Sequence, residues 1–551
     1  MLDDPRRHVD PPGRGRIIRR PTVASPPGAM EPRPGAKQRN AAGMVVMAVA
    51  TTGCFTGDDI QQPSPDAFYF PTALVASSGG TTLYVANSDF DLRFSGGSIF
   101  AMDLRALRGA VGPIAERIAE GDDVVAACAA AGLSVNPDPW LNPGPCDAFP
   151  GPPFVANSVF VGAFASALSL THNPDGAGAR LFAPVRGDPS VTYLDVEDDR
   201  GAAAADPASF RLDCQVDEAG FCDVRHRLGQ DRDRTLRGVQ LPSDPIGIAA
   251  TADGGALVVA HQTEQAASLV VNDWSSVPEL TFFVGGLPNG PTELAAIPEP
   301  GFVAGSEALT YQSGFTLTFR GASTLDLLRF VPDSGAVPPR PFVTRAQTFP
   351  LATNASAFDS RGIAIVDGPR RRCEATCSSA ADPQPCLEQC AENVPLRLYM
   401  ANRSPAQLLV GRMNTVINRD GAAASSVRDE VFFFDTIPLN FGPNRVRVGQ
   451  VLDEQGTPVD RVFAMCFDSR SIFVIDPETE RVETIVRTGR GPQDLAFDQG
   501  QGPDGEPFAF AYVAHFTDSY LGVIDLDQRR PNTYGAIFAN VGAPQPPVES
   551  R

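Results

Sequence analysis

Few residues in this sequence have the chemistry to act on something else, and they fall into three groups. The first group is ten cysteines among 551 residues. Four of them, Cys373, Cys377, Cys386 and Cys390, lie in CEATCSSAADPQPCLEQC. A Cys-x3-Cys spacing puts both sulfurs on one face of a helix, so two such turns separated by Pro383 and Pro385 form an antiparallel helical hairpin. Disulfides Cys373–Cys390 and Cys377–Cys386 would staple two helices too short to stand alone, each closure contributing about 3 kcal/mol. A four-thiolate zinc site is the other chemistry this spacing allows. Local pairing of the rest joins Cys128 to Cys146 and Cys214 to Cys222, and leaves Cys54 and Cys466. Close, even pairing of this kind reads as disulfides formed outside a reducing compartment.

The second group is His261, His515 and Cys466, whose imidazoles and thiolate suit zinc or copper. The third is Asp244, Glu293 and Asp494, carboxylates that could serve as metal ligands or general bases. His172, in THNPDG, reads as a turn residue. His226 stands in the charged run DVRHRLGQDRDRTLR, which reads as a solvated insertion. Trp140 and Trp274 are too few to line an aromatic carbohydrate groove. The sequence has no phosphate loop, no GxSxG elbow, no HExxH helix and no CxxCH haem motif.

A repeat positions these groups. Residues 487–527, RTGRGPQDLAFDQGQGPDGEPFAFAYVAHFTDSYLGVIDLD, read as strand, polar turn, strand, loop and strand, and ETIV of the preceding unit adds a fourth. Four short strands per unit of about 40 residues is the pattern of a propeller blade. The same order recurs at 72–104, 166–196, 245–273, 291–332 and 361–413, and in the unit ending VFAMCFDSRSIFVIDPETERVETIVRTG, which makes seven. The segments LYVAN (83–87), LYMAN (398–402), AYVAH (511–515) and VID (474–476 and 523–525) resemble the YVTN-type β-propeller repeat family.

That resemblance implies an all-β propeller over residues 70–545, with seven four-stranded blades. It also implies that the loop after each second strand faces a central channel. Asn87, Arg186, His261, Asn402, Cys466 and His515 would then meet at one channel mouth. Asp244, Glu293 and Asp494 would lie on the loops leading into the blades, and His261, His515 and Cys466 would be the metal ligands. The plainer reading is that Asn, His and Cys at this position cap turns by bonding local backbone. Seven blades need only about 280 residues. The surplus is expected as insertions at about 108–158, 199–238, 368–395 and 414–443, where the disulfides are concentrated.

Net charge is −20 with a pI near 4.7, which argues against a nucleic-acid partner. No apolar run approaches the ~20 residues of a membrane-spanning helix. Residues 1–54 carry nine basic and four acidic side chains, leaving −25 on the remainder. Within them AAGMVVMAVATTGC (41–54) follows Lys37 and Arg39 and resembles a bacterial lipoprotein signal. The resemblance implies lipid modification of Cys54, with Phe55 directing the product to the outer membrane and a lipid anchor holding it there. Residues 55–69 would be a tether and 546–551 a tail. A rigid ring with variable loops and no catalytic signature implies a non-catalytic envelope scaffold that binds a protein or a glycan and needs no cofactor. The alternatives are a periplasmic lactonase-like or metal-dependent hydrolase at the channel mouth, and a transition-metal or electron-transfer accessory protein. An enzyme needs ionisable groups converging at the mouth; a binder needs an apolar or aromatic loop patch.

Overall fold

The computed structural model describes residues 61–546, apart from 202–209, 236–237, 304–310, 333–339, 352–356, 381, 421–422 and 503–504. Cys54 and the signal-like segment lie outside the described residues. The described chain forms seven antiparallel sheets of four strands in sequence order, blades 1 to 7, with a short fifth strand (Arg227–Leu228) added to blade 2. This is the seven-bladed propeller that the repeat implied.

Patterning explains the ring. The second strands are buried on both faces and read as continuous apolar runs, as in Thr82–Asn87 of blade 1 and Ala256–His261 of blade 3. A single blade would leave both faces in water. Neighbours cover them: Tyr84, Ala86 and Ile99 of blade 1 share one core cluster with Leu181, Ala183 and Leu194 of blade 2. Each large apolar side chain so buried contributes about 1.5–3 kcal/mol.

Among the described residues no strand crosses the seam between blades 7 and 1. Leu74, Leu83, Val85 and Phe100 of blade 1 pack directly on Tyr512, Ala514 and Leu521 of blade 7, and closure is reinforced by the insertion between the third and fourth strands of blade 1, which folds as helices α1 (Leu104–Glu120) and α2 (Val124–Ala130). Asp103 caps α1 by accepting the Arg105 and Ala106 N–H groups, and Gly121 ends it in the left-handed conformation. Leu104, Leu107, Val111 and Ile114 pack in one cluster with Phe510, Phe538 and Val541 of blade 7. Arg108 reaches Asp498 of that blade at 2.7 Å. Phe149 then runs beside the outermost strand of blade 7 (Ile537–Val541). Its N–H donates to Asn540 O and its carbonyl accepts from Gly542 N–H, both at 2.8 Å.

All four expected disulfides form: Cys128–Cys146 in this clasp, Cys214–Cys222 in the blade 2 insertion, and Cys373–Cys390 with Cys377–Cys386 between α3 (Gly368–Cys377) and α4 (Pro383–Asn393). Residues 414–443, expected as an insertion, instead prolong the last two strands of blade 5 (Ala406–Asp420 and Ala423–Pro438) into a long hairpin. Among the described residues no helix is long and apolar enough to cross a membrane.

Candidate functional site

The last residue of each second strand sits opposite the residue that opens the blade: Asn87 faces Pro71, His261 faces Pro245, Cys466 faces Pro443 and His515 faces Pro492. All four side chains are buried, as is Asn402. They form a belt inside the blades rather than a mouth. Asn87 accepts the Tyr69 N–H and donates to Ser98 Oγ. Asn402 donates to Pro405 O at 3.0 Å. His261 Nε2 meets Ser268 Oγ at 2.8 Å, and His515 Nε2 accepts the Gly489 N–H at 3.0 Å while its ring stacks on Tyr520.

Burial alone lowers His515 to a pKa of about 3, and burial is the first cause that lowers His261 to about 4. Burial likewise pushes the Cys466 thiol up to about 11, so it is not a thiolate at neutral pH. The three residues do not form a ligand set. Among the described residues the only three His, Cys, Asp or Glu ligand atoms within 4.8 Å of one another belong to Cys377, Cys386 and Cys390, which are disulfide-bonded. His261, His515 and Cys466 therefore do not assemble the metal centre expected of them. The physical reason is that the position points between blades, where imidazole and thiol cap the turn.

The mouth lies one residue further on. Strand side chains alternate in direction, so the next residue turns from the core to the channel. Ser88, Arg186, Gln262, Arg403, Phe467 and Phe516 occupy that position, and all line one cavity of ≈ 310 Å³. Of the six residues expected at the mouth, Arg186 alone is there. A second set, one residue into the first strands, completes the wall: Thr72, Ile246, Thr292, Asn444 and Gln493.

One side of this mouth is aromatic. Phe90 lies 5.9 Å from Phe70, 5.9 Å from Phe164 and 5.2 Å from Phe516, which in turn lies 6.0 Å from Phe467. Phe90 is 54% exposed. Phe70 (φ 50°) and Phe164 (φ 61°) hold left-handed backbone, which costs a bulky residue about 1–2 kcal/mol. Strain of this kind concentrates at functional loops. The other side carries arginines, each tied to a carboxylate: Arg186 to Asp244, Arg361 to Asp359 and Arg403 to Asp468.

Below the mouth the channel is waisted by charge. Arg447 donates to Asp494 at 2.9 Å and to Glu293 at 3.0 Å, and Arg445 faces the same two carboxylates at 3.4 and 3.9 Å. Burial opposes the Arg447 charge, but Asp494 and Glu293 outweigh it and hold its pKa above the ordinary arginine value. Glu293 and Arg445 line both the mouth cavity and a second one of ≈ 410 Å³ further along the channel. Of the three carboxylates expected on the leading loops, Glu293 and Asp494 instead lie in first strands and meet through Arg445 and Arg447, whereas Asp244 pairs apart from them with Arg186. Arg445 Nε, Ser88 Oγ, Gln262 Nε2 and Asn444 Oδ1 are buried atoms at this cavity with no hydrogen-bond partner within the protein.

No family model matches this sequence, and no curated protein does. Among solved structures, the chain is similar to a candidate 6-phosphogluconolactonase from Bacteroides fragilis, at 12% identity and a TM-score of 0.44 over 85% of this chain and 98% of that one. It is similar to the periplasmic gluconolactonase of Pseudomonas aeruginosa at 14% identity and a TM-score of 0.40, over 88% and 98%. It is similar to hydrazine synthase of Kuenenia stuttgartiensis at 13% and 0.40, over 86% and 99%. Likenesses of this size carry no argument about activity, and the propeller stands on its own strand pairing.

Proposed function

We propose that the channel mouth is a binding site without chemistry of its own, and that the protein is an envelope scaffold whose partner is a glycan or an extended protein segment. The observation that carries this reading is the division of the mouth into an aromatic wall and an arginine wall. Aromatic faces take the apolar face of a sugar ring or a side chain at small entropic cost, and arginines take its oxygens. The unsatisfied Arg445 Nε and Gln262 Nε2 donors, with the Asn444 Oδ1 acceptor, fit a partner rich in hydroxyl or carbonyl groups. A lactonase-like mechanism at the same mouth would need a carboxylate able to act as base, whereas Asp244, Glu293 and Asp494 are committed to arginines.

Export to the outer membrane with a lipid on Cys54 belongs to the same proposal. It is supported by the signal-like segment and by four disulfides, which persist in oxidising compartments. Binding of the full chain to arrayed glycans and to envelope-protein peptides tests the mouth. Phe90→Ala with Phe516→Ala should weaken binding tenfold or more, since each buried aromatic face supplies about 1 kcal/mol or more. Unchanged binding in that double variant would overturn the reading.

A further inference from the structure

On the opposite face, blades 1 and 2 bring a serine, a histidine and an aspartate into line. Ser78 stands in the turn between the first two strands of blade 1, His172 ends the first strand of blade 2 (Ser169–His172), and Asp198 follows that blade's third strand (Ser190–Val196). Ser78 Oγ lies 2.8 Å from His172 Nε2. His172 Nδ1, on the other side of the ring, is buried and lies 3.4 Å from Asp198 Oδ1, close to it but without a formed hydrogen bond. Nucleophile within hydrogen-bond reach of a base, and base beside a carboxylate, is the arrangement that activates a serine.

The surroundings fix both partners from one loop. Asp199, next to Asp198, accepts from Gly79 N–H at 2.8 Å, Thr81 N–H at 3.1 Å, Thr81 Oγ1 at 2.7 Å and Ser77 Oγ, so it holds the turn that carries Ser78. A Cβ on Gly79 would stand 2.2 Å from Asp199 O, so only glycine permits this approach. Asp198 is itself fixed by Arg200 Nε at 2.9 Å, Arg200 Nη2 at 2.8 Å and Gly178 N–H at 3.1 Å. The His172 ring lines a cavity of ≈ 410 Å³ together with Leu170, Pro174, Ala250 and Arg200, and Ser78 is exposed. Burial first, then Arg200, lowers the His172 pKa, so the ring is neutral and basic at pH 7.

We propose that Ser78 is a base-activated nucleophile for small carboxylic esters, with His172 as general base and Asp198 as a positioning residue. A bond forms from Ser78 Oγ to the carbonyl carbon while the serine proton passes to His172 Nε2. The C–O bond to the alcohol then breaks, and the leaving oxygen takes that proton. Water attacks the acyl-serine, releases the acid and restores the hydroxyl. Arg200 is the one guanidinium among the residues lining this cavity, and it suits the negative charge that develops on the carbonyl oxygen. This site is independent of the channel mouth.

The test is labelling of the full chain with a fluorophosphonate, in which the Ser78 O–P bond forms, the P–F bond breaks and His172 takes the proton. The expected result is an adduct that peptide mapping places on Ser78, at a rate that falls about 100-fold in His172→Gln. Ser78→Ala, which trims an exposed side chain, should abolish both the adduct and p-nitrophenyl acetate hydrolysis. Asp198→Asn should lower the midpoint of the pH–rate profile. Asp198 and Asp199 raise the histidine pKa against Arg200 and burial, and the variant removes the nearer negative charge. No adduct on Ser78, or hydrolysis unchanged in Ser78→Ala, overturns the proposal.

Discussion

The His515 ring stacks 4.2 Å from Tyr520, and its Nε2 takes the Gly489 N–H, which holds the side chain neutral in the core. With folded pKa values of about 3 for His515 and about 4 for His261, against 6.5 in an unfolded chain, the unfolded state binds protons that the folded state refuses. Their contribution is fully present above pH 6.5 and is lost as pH falls toward 4, at about 1.4 kcal/mol per pH unit for each histidine. Urea unfolding at pH 7 and pH 5 should therefore show a loss of about 2 kcal/mol per histidine, and His515→Gln should remove one such share of the pH dependence. A pH dependence identical in that variant would mean that the ring is not protected from protons. The same position shows what the sequence hid. Residue types and repeat position were legible, and the capping reading of Asn87, His261 and His515 follows from them. Which of two successive residues faces the channel was not, because a strand reverses its faces at every step and the bulge after the leading proline shifts the register. Phe467 and Phe516 stood one place beyond the residues singled out. Phe70 and Phe164 stand in left-handed turns that no propensity announces.

Among the elements, the clasp formed by α1, α2 and the segment up to Phe149 carries a distinct consequence. It is the structure that joins the outer strand of blade 7 to blade 1, and Cys128–Cys146 holds it closed. Replacing both cysteines by serine should cost about 3 kcal/mol, and hydrogen exchange should show protection lost first in 537–541 and 104–120. Uniform loss around the ring would contradict a local clasp. The strands were readable because alternation, polar turns and repeated YVAN-like segments agree with one another. The helical hairpin was readable from Cys-x3-Cys alone. Helix α1 is only half legible: Asp103 is a capping residue and Leu104, Leu107, Val111 and Ile114 recur at helical spacing. Gly109, Gly112 and Pro113 argue against a helix locally, and packing on blade 7 overrides them. The blade 5 hairpin is not legible for the opposite reason: its polar alternation looks like loop, and what covers it is remote in sequence, Phe302 and Ala391 on Ile417 and Arg329 of blade 4 on Asp429.

At the scale of the whole molecule, the propeller sets two faces apart, a channel mouth walled by phenylalanine and arginine and an opposite face with the Ser78–His172 pair. The charged waist of Glu293, Arg445, Arg447 and Asp494 separates the mouth from the rest of the channel. A ligand that enters at the mouth lies between the aromatic wall and the arginine wall before it reaches that waist. The ring and its blade count were legible because repeats sum their weak signals over the whole chain. The mouth was not, since its wall is assembled from residues scattered over all the blades. The measurement that tests the central claim most directly places a photo-crosslinking phenylalanine at Phe90 in the mouth and, separately, at Phe283. Phe283 is a blade 3 residue of similar exposure, 49% against 54%. Irradiated in the cells that produce the protein, the Phe90 probe should capture a discrete glycan or protein adduct that the Phe283 probe does not. Equal capture at both positions, or capture at Phe283 alone, would contradict a binding site at the channel mouth.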